Sequence, residues 1–301
     1  MASSLLSSQT LRPNTRTTCS QLRRIPGRVL AFWHLASLDA PTVAIVWALA
    51  IAHSAGNHLK PWVPLLLACG TWTVYVGDRL LDTRAAIRTH NHGVLRERHY
   101  FHWRHRHTLI PLTALTAACS AGMIFGLMSL AARERNSLIA TAALAYFSGV
   151  HAPAPIPRWA RRIVSKEFLV GILFAAGCSG PTLPLLHSPS RRWPIVLTIV
   201  FLAVLGWLNC TAIAGWESEK HSINLPAVAL LLALFGLGLA IILAPSFAPS
   251  SILLICAACS ALLLLLLHRL RSRFDSLTLR ALADVVLLIP AILLIPGAGS
   301  L

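Results

Sequence analysis

Nine stretches of this chain stay apolar for about as long as a helix needs to cross a hydrocarbon core, and nothing else constrains its fold as strongly. They cover residues 36–55, 61–82, 108–131, 137–153, 167–187, 194–215, 224–244, 250–267 and 281–300. A crossing helix takes roughly 17–25 residues. In lipid no water is available to the backbone, so every N–H and C=O must be satisfied within its own segment, and an all-α polytopic bundle of about nine transmembrane helices follows. Composition agrees: 56% of residues are hydrophobic and only 12% are charged. No stretch is left over for a separate soluble domain. The sequence reads as a basic, disordered cytoplasmic tail over 1–35 and one transmembrane helical domain over 36–301.

The formal charge of +16 suggests a polyanionic partner until the positions of the cations are mapped. With the amino terminus in the cytoplasm, the inner side holds the tail arginines, seven in 79–107, four basic residues in 154–166, Lys220 and four in 268–280. That is 21 of the 26 Lys and Arg, against Lys60, Arg133, Arg135, Arg191 and Arg192 outside. This bias is the positive-inside signature, which places the amino terminus in and the carboxyl terminus out. The basicity is therefore topological, and no nucleic-acid partner is expected. The first 28 residues lack acids and are rich in Ser, Thr and Arg. A bacterial inner membrane fits such a tail, and an organelle membrane reached through a transit peptide is the alternative.

The acids are few and gathered. Nine of the ten (Asp39, Asp78, Asp82, Glu97, Glu167, Glu217, Glu219, Asp275 and Asp284) fall on the inner side or at an inner helix end, leaving only Glu134 outside. Charged groups at a membrane boundary are costly and mark function by default. Asp78 and Asp82, which close the second run, are four residues apart and lie on one helix face, about 40° apart. Glu217 and Glu219 close the sixth run, where Asn209 shares a face with Glu217. Arg79, Arg161, Arg162 and Lys166 supply cations nearby in the sequence. Carboxylates cannot hold a phosphate directly, whereas Mg²⁺ bridges the two and guanidinium groups add charge-assisted hydrogen bonds. The pattern therefore points to a diphosphate carried on an apolar tail. Asp78, Asp82 and Glu217 are the expected catalytic residues. Asp78, Asp82, Asn209, Glu217 and Glu219 are the expected metal ligands, and Arg79, Arg161, Arg162 and Lys166 the expected diphosphate ligands.

Two other motifs take simpler readings. Cys256 and Cys259 have a metal-like spacing but sit in a run of Ala and Leu without a second pair, which fits helix packing. His90, His92, His99, His102, His105 and His107 alternate with arginines and accompany only one acid, Glu97. A basic segment lying against anionic headgroups, or capping a cavity as a lid, suits them better than a zinc site.

The chain resembles the UbiA superfamily of intramembrane prenyltransferases. The resemblance rests on the number of runs, their orientation, the Asp78-x-x-x-Asp82 motif on the second run, Leu38-Asp39-Ala40-Pro41 at the start of the first, and Arg161-Arg162 before the fifth. It departs where Val74 and Tyr75 stand in place of the family's polar residues, and where Glu217 and Glu219 replace paired aspartates. The resemblance implies a Mg²⁺-dependent transferase moving an isoprenyl group from a prenyl diphosphate to a lipophilic, possibly aromatic, acceptor among membrane lipids. Its diverged second motif leaves a membrane terpene cyclase as the alternative. A small-solute transporter fits less well, because the span centres carry no charge.

Overall fold

The computed structural model describes residues 25–88, 95–151, 166–218 and 223–295, all of them helical or in connections. Among the described residues eleven α-helices follow one another: α1 (Ile25–Leu35), α2 (Asp39–Ser54), α3 (Trp62–Arg88), α4 (Glu97–Arg104), α5 (Arg106–Leu127), α6 (Leu130–His151), α7 (Lys166–Ser179), α8 (Pro189–Ser218), α9 (Leu225–Leu243), α10 (Ala248–Arg269) and α11 (Ser276–Val285). The last continues as a 3₁₀ segment over Val286–Leu294.

Five of these stretches are long and apolar enough to cross a membrane: Arg106–Leu127, Arg192–Glu217, Leu225–Leu243, Ala248–Arg269 and Ser276–Leu294. A sixth is the pair Gly27–Leu35 and Asp39–Ser54, taken as one span bent by 89°. The other three expected runs are helical where described but do not reach that standard. In α3 the apolar stretch is diluted by Gly70, Thr71, Thr73 and Gly77 before it meets Asp78 and Arg79. In α6 the first turns carry Arg133, Glu134 and Arg135, and α7 is only 14 residues long, ending before Gly180-Pro181.

The distribution of side-chain size is that of a lipid-facing bundle. On α9 the large residues Leu231, Phe235, Ile241 and Ile242 point outward, while Ala229, Ala233, Gly236 and Ala240 are buried. Small residues inside let backbones approach closely where lipid removes the hydrophobic drive between helices. The same device joins α7 to α8: a Cβ at Gly171 would lie 2.5 Å from the Ala203 carbonyl oxygen and 2.7 Å from the Trp207 nitrogen. Large side chains then fill the centre, with Trp47, Ile51, Leu202, Leu205, Leu208, Leu253 and Leu264 almost wholly buried.

Proline decides how the last span is held. In a 3₁₀ segment each N–H returns to the carbonyl three residues back, so Pro290, which has none, leaves the Leu287 carbonyl free. That oxygen accepts the Trp47 indole N–H at 2.9 Å, and one residue earlier Ser260 Oγ donates to the Val286 carbonyl at 2.7 Å. These two bonds tie α2 and α10 to the 3₁₀ segment.

Residues 25–35, which the sequence presents as the end of the tail, form α1, because Val29 to Leu35 is apolar enough to pack against α11 and α4. The chain then turns sharply into α2 at Ser37, whose φ of 59° is costly for a non-glycine residue. Ser37 is buried and held by side-chain hydrogen bonds on both sides of its hydroxyl, which compensates that cost.

Candidate functional site

Polar side chains concentrate at one end of the bundle, where the starts of α2 and α11 meet the ends of α3, α8 and α10. The short helix α4 packs on α3, α1 and α5 and reaches the end of α8 through Arg96 and Arg98. Two layers can be distinguished.

The deeper layer is centred on His34, Asp39 and Asp284. His34 Nδ1 is 2.6 Å from Asp39 Oδ2 and 3.6 Å from Asp284 Oδ2. Asn209 Nδ2 donates to Asp284 Oδ1 at 3.2 Å. Beside them Arg79 donates to Ser37 Oγ and to the His34 carbonyl, and its guanidinium lies 5.6 Å from the centre of the Tyr75 ring. His34, Asp39, Arg79 and Asn209 are all buried. Buried carboxylates are tolerable only when paired. One imidazole and one guanidinium therefore serve two acids here.

Toward the surface, Glu217 is surrounded by arginines. Its Oε1 lies 2.9 Å from Arg280 Nε and 3.1 Å from Arg98 Nη1, while Oε2 is 3.9 Å from Arg96 Nε. Arg96 Nη2 also donates to the Glu217 carbonyl at 3.1 Å, so it satisfies a backbone acceptor at the end of α8. Three guanidiniums around one carboxylate leave a local excess of positive charge. Asp82 approaches the same region through His99, with Asp82 Oδ2 3.9 Å from Nε2.

Between the layers, α4 is held by its histidines. Burial first, then the positive charges of Arg98 and Arg79, pull the His99 imidazole down to about 4. His102 is likewise pulled down to about 4 by burial, against its backbone hydrogen bond at Arg98. Both rings are neutral at neutral pH. His102 Nδ1–H then donates to the Arg98 carbonyl at 2.7 Å, and Nε2 accepts the Ser37 hydroxyl at 3.1 Å. His99 Nδ1 accepts the Arg96 backbone N–H at 3.0 Å. A directed chain of bonds therefore runs from Arg79 through Ser37 and His102 to α4. These two histidines face the protein interior rather than lipid headgroups; His90 and His92 lie outside the described residues.

The sequence-expected site residues are distributed as follows. Asp78 and Asp82 are partly exposed on one face of α3, the Asp82 side chain being 38% exposed. Arg79 points the other way, into the deeper layer. Asn209 and Glu217 have different partners: the first is engaged by Asp284 and the second by arginines. Lys166 is exposed at the start of α7. Arg161, Arg162 and Glu219 lie outside the described residues. Sequence reasoning assigned no site role to His34, Asp39, Asp284, Arg96, Arg98 or Arg280. The available signal was Asp284, an acid set inside an apolar run, which on its own marks a polar contact in the bundle.

Comparison with family models, with characterised proteins and with solved structures finds no match to this chain.

Proposed function

We propose that this is a Mg²⁺-dependent, UbiA-type intramembrane enzyme that binds a prenyl diphosphate at the polar end of the bundle and transfers the isoprenyl group to a lipophilic acceptor. The bacterial inner membrane is the proposed location. The observation that carries this reading is the pairing of opposites at the end of an apolar bundle. Asp82, one helical turn from Asp78, lies 3.9 Å from His99, and His99 is in the field of Asp78, Arg98 and Glu217, around which Arg96, Arg98 and Arg280 gather.

The carboxylate pair fits a hydrated dication, because Asp82 is open enough for an ion that keeps several of its waters. Held by Asp78 and Asp82, Mg²⁺ would supply charge neutralisation to the diphosphate as its bond to carbon weakens. The arginines contribute on the other side. Their N–H groups bind phosphate oxygens and are already oriented by Glu217, so little reorganisation is needed as negative charge develops on the leaving group. His99, neutral and buried, lies 3.9 Å from Asp82 and adds no competing positive charge. Glu217 acts in this reading as the counter-ion that positions the arginines. Its engagement by them leaves Asp78 and Asp82 as the motif for the diphosphate's Mg²⁺, and with it the cyclase as second reading.

The test is pyrophosphate release from allylic diphosphates of several chain lengths, using purified protein in micelles with and without Mg²⁺. Asp78→Asn and Asp82→Asn should each lower turnover by about 100-fold or more. Wild-type turnover in both variants, or release independent of Mg²⁺, refutes the proposal. A cyclic hydrocarbon or alcohol formed without acceptor selects the cyclase.

A further inference from the structure

We propose that His34, Asp39 and Asp284, with Asp284 oriented by Asn209, bind one first-row transition-metal dication at a site distinct from Asp78 and Asp82. One ligand atom from each of the first three residues falls in a group whose members all lie within 4.8 Å of one another. His34 and Asp39 flank the corner between α1 and α2, and the bundle brings Asp284 of α11, 250 positions after His34, to the same point.

The hydrogen bonding of the cluster is incomplete without an ion. His34 is only 2% exposed, and its Nδ1, 2.6 Å from Asp39 Oδ2 and 3.6 Å from Asp284 Oδ2, makes no hydrogen bond of ordinary geometry among the described residues. Buried polar atoms are rarely left so. Asn209, itself buried, donates from Nδ2 to Asp284 Oδ1 at 3.2 Å and so fixes the orientation of that carboxylate, as the outer hydrogen bonds of metal ligands do.

The dimensions suit an ion after small shifts. Ligands at about 2.1 Å stand about 3.0 Å apart when adjacent and about 4.2 Å when opposite. The short His34–Asp39 contact must therefore open and the widest pair must close, each by about half an ångström. Two carboxylates and one imidazole nitrogen favour Mn²⁺, Fe²⁺ or Zn²⁺ over Mg²⁺ or Ca²⁺, which take oxygen donors. The ion binds the imidazole at Nδ1, and the ring keeps its proton on Nε2. It fastens the α1–α2 corner to α11.

The experiment uses the full chain in detergent micelles, stripped with chelator and equilibrated with Mn²⁺ in millimolar Mg²⁺, which occupies oxygen-only sites. After desalting, about one Mn²⁺ per chain should remain, with ¹⁴N modulation in its pulsed EPR signal from a bound imidazole and a raised unfolding temperature. His34→Gln should abolish the nitrogen modulation, and both it and the near-isosteric Asp284→Asn should weaken Mn²⁺ binding by at least about tenfold. Asp78→Asn and Asp82→Asn should keep the ion and its nitrogen signal. The proposal is overturned if the folded wild-type protein retains no Mn²⁺, or if the nitrogen signal survives His34→Gln. Loss of the ion in Asp78→Asn but not in Asp284→Asn overturns it as well. None of these outcomes depends on turnover of a prenyl diphosphate, so the two proposals stand or fall separately.

Discussion

Replacing Glu217 with Gln isolates what its charge contributes, because the amide keeps the size of the side chain and an oxygen acceptor. Two contacts are short enough to matter: Arg280 Nε at 2.9 Å and Arg98 Nη1 at 3.1 Å. The Arg280 side chain is only 5% exposed and that of Glu217 17%, so neither is a solvated surface pair. A hydrogen bond to a charged group contributes about 1.5–3 kcal/mol against about 0.5–1.5 for a neutral pair. Losing the charge at two contacts therefore costs about 2–3 kcal/mol. Glu217→Ala should cost more, about 3–5 kcal/mol, because a buried guanidinium loses its partner altogether. The loss should be local first. Arg96 and Arg98 belong to the start of α4, so its peptide groups should exchange hydrogen faster in Glu217→Gln while α9 and α10 remain protected. Chemical unfolding in micelles and hydrogen exchange read by mass spectrometry measure both effects. A stability change under about 0.5 kcal/mol, with α4 exchange unaltered, would show that the arginine cluster does not hold this helix.

Acid should release the same helix. The folded protein holds His99 and His102 near 4, below the ordinary 6.5, so its fold binds fewer protons than the unfolded chain between those values. Their contribution is complete above about pH 6.5, falls as pH drops toward 4, and after allowance for solvent screening amounts to about 1 kcal/mol for each ring. His99→Gln/His102→Gln should flatten the dependence of the unfolding midpoint on pH over that window; an unchanged slope counts against it. At the α7–α8 contact, Gly171→Ala places a methyl against backbone atoms that cannot rotate away, and should cost about 2–4 kcal/mol. Gly177→Ala, with nothing within 4 Å of the added carbon, should be neutral or slightly stabilising by the same unfolding measurement.

What could be read from the residues alone was whatever depends on local periodicity and run length. Apolar runs, with no water to satisfy their backbones, leave only helices, and the structure is helical throughout the described residues. Where a run was mixed or broken, as in α3 and α7, length and composition overstated how much of the chain meets the requirement for crossing a membrane. The four-residue spacing of Asp78 and Asp82 likewise placed them on one face without any knowledge of the fold. Partnership between distant residues could not be read in this way. His34, in what the sequence offers as a tail, meets Asp284, 250 positions further on, because α1 folds back at Ser37 and packs on α11. Glu217 gains arginines from α4 and α11 rather than from its neighbours in sequence. Helix periodicity specifies which way a side chain faces on its own helix. Which groups meet across helices depends on bends, on close glycine contacts and on the Leu287 carbonyl that Pro290 leaves free, and those are set only when the bundle is assembled.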